Sequence, residues 1–363
     1  MKYLSIFLIF FITLSCAVPH YPKKQEKLGV FSSDSLKSVS IKTFSTNQLK
    51  IQYLGCGNLL IKHKNEVVLF DPFFSNNPGL KAGFGKIKFN PLYFQKGSNF
   101  INRFGTSFKD ISTIFISHSH YDHLLDLAYL LDKDSLNNSV KIYADESAKT
   151  VIHHFIKNYS FSNSDSFVYK YKTIPKWIYI NNEMRVLIIP SSHAPHLGKM
   201  HFMKGNTDSN YFTKFTNSTQ KIKASQFKEG HTFAFILDVL QNDTISFRVL
   251  IKGAGCEVDN GRISEDILKE HGIDLAVMQI ASSNYTNCYP QNLLSQIQPK
   301  QVLITHWEDF FRPYSPKKIK TVRATNFSYF FNKVKSVNGV WKVNKLSDKF
   351  YMPNPGTMMI YEF

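Results

Sequence analysis

The segment His118-Ser119-His120-Tyr121-Asp122-His123 constrains this chain more than any other feature, because three imidazoles and a carboxylate crowd into six positions. It follows the apolar run from Thr113 to Ser117 and precedes a helical pattern from Leu124 to Leu131, so it reads as a loop between a buried strand and a helix. A loop there turns several side chains toward one point. Neutral imidazole nitrogen and carboxylate oxygen are the donors that zinc and similar borderline ions take at about 2.0 to 2.2 Å. The flanking strand and helix weigh against the plainer reading, a polar solvent-facing turn that happens to be rich in histidine.

The rest of the chain reads as an α/β protein. Short apolar runs at Ile51 to Leu54, Leu59 to Lys62 and Val67 to Phe70 are strand signals, the last leading into Asp71-Pro72. The Gly-, Asn- and Phe-rich stretch from Ser75 to Phe108 shows no strong period and is expected to be a long loop flapping over a substrate cleft. A strand from Val140 to Tyr143 and a helix from about Ser147 to Asn158 follow. Val186 to Ile189 is another buried-type strand, ending in Pro190-Ser191-Ser192-His193, and Phe233 to Val239 with Ile245 to Ile251 read as a hairpin. A helix capped at Ser264 and closed at Gly272, a strand from Leu275 to Gln279, a helix near Leu293 and a strand from Val302 to Ile304 lead to Thr305-His306. The last strand is expected from Thr357 to Tyr361. Hairpins first and β-α-β units later predict two mixed sheets sandwiched between helices.

The chain opens with Met1-Lys2, an apolar run from Tyr3 to Leu14, and the small residues Ser15, Cys16 and Ala17, the layout of a signal peptide over residues 1–17. The run is too short for an ordinary transmembrane helix, which needs roughly 20 apolar residues. Cys16 stands where a bacterial lipoprotein carries its lipidated cysteine, although Thr13 occupies a position usually held by Leu or Val; lipidation, plain cleavage near Ala17 and a retained anchor stay open. Residues 18–47 read as a polar tether and residues 48–363 as the folded domain, exported to the bacterial periplasm or cell surface. Besides Cys16, only Cys56, Cys256 and Cys288 remain, with no C-x-x-C pair, so they read as buried reduced cysteines rather than a disulfide framework or zinc finger.

At 363 residues, 43% apolar and 20% charged, the chain can bury a full core and is not a disordered polyampholyte. The formal charge of +17, from 44 basic against 27 acidic residues, draws anionic partners, but the basic residues are spread along the chain, as on a solvated basic surface. No glycine-rich nucleotide loop or serine elbow suggests an organic cofactor.

In His118, His120, Asp122 and His123 the chain resembles the metallo-β-lactamase superfamily, whose H-x-H-x-D-H signature it matches at all four signature positions. The run Ser117 to His123, with Asp71 ending an earlier strand, is most similar to the branch that includes N-acylphosphatidylethanolamine phospholipase D and the ascorbate-lactone hydrolases. The resemblance covers roughly Leu49 to Phe363 and implies a four-layer αββα sandwich with metal at the sheet edge. It implies His193, after Pro190, as the third ligand of one site and His306, after the Val302 to Thr305 run, as a ligand of the other. His196 is a competing ligand, a substrate contact or a surface histidine.

Where the family carries a metal-bridging aspartate, the matching stretch Lys252 to Glu257 presents Ala254, which implies a weaker second site. His118, His120 and His193 alone make a three-histidine site with an open fourth position, the arrangement that lowers the pKa of water to about 7. Asp122, His123 and His306 would hold a second ion; with one ion only, Asp122 is free to act as general base. Cys256, Glu257 or Asp259 could replace the missing ligand. Asp71 is expected to accept a hydrogen bond from a ligand imidazole, hold the loop or cap its own turn, and Glu308 or Asp309 to partner His306.

The expected metal is Zn2+, one or two ions, with Mn2+ or Fe2+ as alternatives. The expected activity is hydrolysis of an ester-like bond by metal-activated water, with a phosphodiester, specifically a phospholipid, as the favoured substrate and a lactone or amide as its rival. The reading from a different class is a non-catalytic metal-binding exported lipoprotein. An RNase Z-like nuclease shares the signature, but an export signal sets it apart from cellular RNA, so the expected partners are a small-molecule or lipid substrate and the membrane surface through Cys16, not nucleic acid.

Overall fold

The computed structural model describes residues 47–170, 174–256, 261–313, 319–337 and 349–363. The signal segment with Cys16, the tether up to residue 46, and Glu257 and Asp259 lie outside the described residues.

β1 (Gln48–Gly55), β2 (Asn58–His63) and β3 (Glu66–Phe70) form an antiparallel meander. Its turns fall at Cys56-Gly57 and Lys64-Asn65, where Cys56 and Lys64 take positive φ of 55° and 51°. After α1 (Gly79–Phe84), β4 (Lys86–Ile87) and α2 (Pro91–Arg103), the chain re-enters the sheet as β5 (Ile111–Phe115), parallel to β3. The long helix α3 (Tyr121–Asp132) leads to β6 (Lys141–Ala144), and α4 (Glu146–Ile152) to β7 (Ser160–Asn163), both added in parallel.

The second sheet starts with the antiparallel β8 (Ile178–Asn181) and β9 (Met184–Pro190). A long excursion carrying α5 (Ser209–Phe212) and β10 (Ile222–Lys223), which pairs with β4, returns to the hairpin of β11 (Phe233–Gln241) and β12 (Thr244–Lys252). Its two turn residues, Asn242 and Asp243, both have positive φ, the backbone that matches strand twist in a two-residue hairpin loop. Then α6 (Glu265–Glu270), β13 (Leu275–Gln279), α7 (Gln291–Ile297) and β14 (Gln301–Thr305) alternate as parallel crossover units. The described chain ends with α8 (Phe327–Ser336), β15 (Phe350–Tyr351), which joins β14, and β16 (Met358–Glu362), which crosses to pair with β1. The two seven-stranded orders are β16-β1-β2-β3-β5-β6-β7 and β15-β14-β13-β12-β11-β9-β8.

Period-two alternation sorts the first sheet's side chains between two cores. Leu49, Ile51, Tyr53, Leu59, Ile61, Val68, Phe70 and Phe115 face the second sheet, where Phe235 meets Phe70 and Phe115 at ring distances of 5.3 and 5.4 Å. Leu60, Val67, Leu69, Ile114, Ile116 and Ile142 face the other way, against Leu124, Leu127 and Leu131 of α3. Helices α6, α7 and α8 contribute Ile267, Leu294 and Phe330 to the core of the second sheet. Two mixed sheets with helices on their outer faces give the four-layer αββα sandwich.

Two expectations need correction. The stretch from Ser75 to Phe108 is not a patternless loop: α2 starts where the Asn90 side chain accepts from Leu92 N–H and Pro91 supplies the first turn. Its helical signal is masked because its buried residues include Gly97, where a Cβ would run into the Phe74 ring. The helix placed from Ser147 to Asn158 is shorter, capped by Asp145 and finished by His153. No helix among the described residues is long and apolar enough to cross a membrane.

Candidate metal centre

Strand ends from both sheets converge on one point. Asp71 follows β3, residues 116–120 follow β5, His193 lies three residues beyond β9, and His306 directly follows β14. Backbone bonds bind these ends together: Asp71 N–H to Phe115 O (3.0 Å), Phe233 N–H to Ser117 O (2.8 Å), and His306 N–H to Cys56 O (2.9 Å). Cys56, Asp71 and His306 hold positive φ of 55°, 48° and 55°, a conformation that non-glycine residues rarely adopt and that clusters where a site demands it.

One donor group comprises His118, His120 and His193, whose ligand atoms all lie within 4.8 Å of one another. Burial, with the neighbouring imidazoles, holds His118 and His120 well below the usual histidine range. Burial also lowers His193. The rings are therefore neutral and offer lone pairs. His118 Nδ1 sits 3.0 Å from Ser117 Oγ and His193 Nδ1 2.6 Å from Ala194 O, contacts that fix both rings.

The second group comprises Cys56, Asp122, His123 and His306, again with donors within 4.8 Å. Asp122 and His123 project from the first turn of α3, where a carboxylate also suits the helix dipole. Asp122 Oδ2 lies 3.2 Å from His306 Nε2 and 3.7 Å from His123 Nε2. Burial alone would raise Asp122, but His123 and His306 hold it well below the carboxylate range. Burial would lower His123, yet the Asp71 and Asp122 carboxylates raise it. Asp71 accepts from His123 Nδ1 (2.8 Å), Ser117 N–H (2.6 Å) and Ser117 Oγ (2.6 Å). Gly57 is required beside it, since a Cβ there would come within 2.7 Å of His123 Cε1 and 3.1 Å of Asp71 Oδ2.

The donor sets fit divalent ions on an independent observation. His118 Nε2 and His120 Nε2 are buried with no hydrogen-bond partner, although orphaned buried nitrogen costs roughly 1 to 3 kcal/mol. Coordination removes that cost.

Neither Glu308 nor Asp309 partners the His306 imidazole, contrary to expectation. Glu308 turns toward the first sheet, where it accepts from the Tyr53 hydroxyl and the Cys56 N–H, while Tyr53 Oη receives the His306 N–H at 3.1 Å. Burial raises the Glu308 carboxyl. Asp309 is captured by the guanidinium groups of Arg312 and Arg323, at 2.7 and 3.1 Å. Cys256, weighed as a substitute ligand, instead lies with its thiol 3.4 Å from Lys252 Nζ, outside both donor groups. Ala254 is buried and its methyl offers no donor. His196 stacks on His193 at 4.6 Å, accepts from Phe202 N–H through Nδ1, and is pushed down to about 3 by burial and by His193.

Both groups open on a cleft of about 370 Å³. His120, Asp122, His193, His196 and His306 line its floor, and Phe310, Phe311, Val322, Leu197 and Phe202 its apolar walls. Gly79 and Ala82 of α1 also line it, so part of the expected flap borders the cleft as helix rather than loop. Lys228, half-buried, and Arg323 add positive charge.

Sequence reading passed over Cys56, Lys228 and Arg323. Only the glycines flanking Cys56, in a turn directly after a strand, hinted at a backbone folded against something.

The sandwich and its histidine-rich strand ends agree with the architecture that the sequence resemblance implies. Residues 58–150, which hold Asp71 and the run from His118 to His123, match the family model described as the metallo-beta-lactamase superfamily. Similar solved structures include Igni18, a metallo hydrolase from Ignicoccus hospitalis, at 16% identity over 87% of this chain and 99% of that one, with a TM-score of 0.48. Another is the metallo-beta-lactamase fold protein YhfI from Bacillus subtilis, at 10% identity over 86% and 99% of the two chains, TM-score 0.47. A third is CmlA, a diiron β-hydroxylase from Streptomyces venezuelae, at 11% identity over 88% of this chain and 55% of that one, TM-score 0.44. No curated protein matches the chain in sequence.

Proposed function

We propose that this chain is a metal-dependent hydrolase acting on an ester-like bond, with a phosphodiester carrying an apolar group as its substrate class. The observation that carries the reading is the pair of adjacent donor groups, with orphaned buried imidazole nitrogens, at the floor of a mostly apolar cleft. In this reading His118, His120 and His193 hold one divalent ion, and Asp122, His123 and His306 take part in holding a second. A bound ion supplies Lewis acidity, lowering the pKa of water and stabilising negative charge on the substrate.

The chain's own groups do the rest. Asp122, held ionised by His123 and His306, orients the attacking water by accepting its hydrogen bond where only the first ion is bound, and otherwise serves the second ion. Tyr121 lines the cleft, and its buried hydroxyl, raised well above its ordinary value by burial and by Asp122 and without a partner among the described residues, keeps its proton at working pH. Lys228 has no ion-pair partner among the described residues and anchors the anionic group, while Phe310, Phe311 and Val322 take up the apolar one.

The first test is elemental analysis of chain purified without added metal, paired with chromogenic phosphodiester, carboxylic ester and lactone substrates. Metal-dependent turnover led by the phosphodiester supports the reading, turnover led by the lactone shifts the substrate class, and bound metal with no turnover leaves a metal-binding protein. Lys228→Ala is expected to raise KM for the phosphodiester about tenfold with kcat held, and to leave a neutral ester unaffected. Export with Cys16 lipidated belongs to the same proposal, supported by the layout of residues 1–17, and mass spectrometry of the mature N-terminus tests it.

A further inference from the structure

The geometry points to Cys56 as a thiolate ligand of the second metal ion, supplying from the β1–β2 turn the anionic donor that Ala254 does not. The inference rests on the metal-dependent reading above but goes beyond it, because neither the signature nor the matched segment's histidines call for a cysteine here.

A tetrahedral ion with bonds of about 2.0 to 2.3 Å places its donors roughly 3.3 to 3.8 Å apart. Cys56 Sγ lies 3.1 Å from His306 Nε2 and 3.6 Å from Asp122 Oδ2. Two further spacings are 3.2 Å from His306 Nε2 to Asp122 Oδ2 and 3.7 Å from His123 Nε2 to Asp122 Oδ2, and the other two pairs lie within 4.8 Å. These edges fall within a few tenths of an ångström of a four-coordinate cage.

The Cys56 thiol is 1% exposed, and its backbone is fixed from three sides: the N–H donates to Glu308, the carbonyl accepts from His306 N–H, and φ is held at 55°. Packing alone would not demand a left-handed residue whose side chain faces a carboxylate and two imidazoles. Neighbouring alternatives are engaged elsewhere, since Cys256 faces Lys252 and Glu308 faces Tyr53. Charge completes the case. A thiolate and the Asp122 carboxylate together neutralise a divalent ion, which Asp122 with two neutral imidazoles does not, and a sulfur donor favours zinc or cobalt over magnesium or manganese.

Cobalt substitution tests this on the full chain. Metal-free protein titrated with Co2+ is expected to develop an intense near-ultraviolet sulfur-to-cobalt charge-transfer band as the second ion enters. Cys56→Ser is expected to lose the band and to weaken the second ion by roughly 100-fold or more, while His118, His120 and His193 retain the first. Absence of the band in unmutated protein holding two Co2+ ions overturns the inference, and that measurement does not depend on how the variant folds. A band with no turnover on any substrate leaves the ligand assignment standing and defeats only the hydrolase reading, whereas turnover without a band does the reverse.

Discussion

Asp71 shows how much one residue decides at this centre. Its two oxygens accept three hydrogen bonds, orienting the His123 ring and pinning the start of the histidine-rich loop through Ser117. An amide cannot accept all three, so Asp71→Asn is expected to weaken zinc at the second donor group by about 10- to 100-fold while the fold persists, measured by titration against a competing chelator. Acid should act on the imidazoles directly. His118, His120 and His193 are held below their ordinary value of 6.5, and His196 is pushed down to about 3. Groups with lowered folded values bind fewer protons when folded, so their contribution is present above about pH 6.5 and is lost as pH falls below it. His123, raised by Asp71 and Asp122, and Asp126, pushed up to about 6 by burial, work in the opposite sense but are two against four. The Tm of metal-free protein is therefore expected to drop between about pH 7.5 and about pH 5.5, and an unchanged Tm would contradict the neutral, buried imidazoles. The six positions from His118 to His123 were legible because strand, loop and helix succeed one another within one window. Cys56 was not, because nothing in its own neighbourhood names the Asp122 and His306 it faces.

Elements place these residues by anchoring one another. Helix α3 carries Asp122 and His123 in its first turn and Asp126 in its second, where Asp126 accepts from Phe74 N–H (2.8 Å), Ser75 N–H (3.0 Å) and Ser75 Oγ (2.5 Å). The helix thus grips the chain leaving β3 and keeps Asp71 opposite His123. Asp126→Ala strands two buried N–H groups and is expected to cost on the order of 3 kcal/mol, read from the urea midpoint, and to lower metal affinity through the loosened strand end. The hairpin of β11 and β12 was read from sequence to within two residues at each end, since alternating apolar positions and a turn mark it locally. α2 was not, because its face is set by Phe74 packing onto Gly97, a contact that local periodicity does not announce.

At the scale of the whole molecule, the centre exists only when both sheets are assembled. Its donors come from positions as far apart as Cys56 and His306, brought together where the turn of one sheet is bonded to the strand end of the other. Metal bound by the folded state alone stabilises it by mass action, by about 4 kcal/mol at a thousandfold excess over Kd. Zinc loading is accordingly expected to raise Tm and a chelator to reverse it; a Tm indifferent to both would show that the donors do not act together. The sequence by itself determined the sandwich and the first four of its candidate metal donors, because strand alternation and a compact histidine motif are local patterns, repeated within a few residues. The family resemblance pointed to His193 and His306, and the tertiary structure alone decided the other distant neighbours. Glu308 turns to Tyr53, Asp309 to two arginines and Cys56 to the cluster, since those choices depend on how two sheets close over one another.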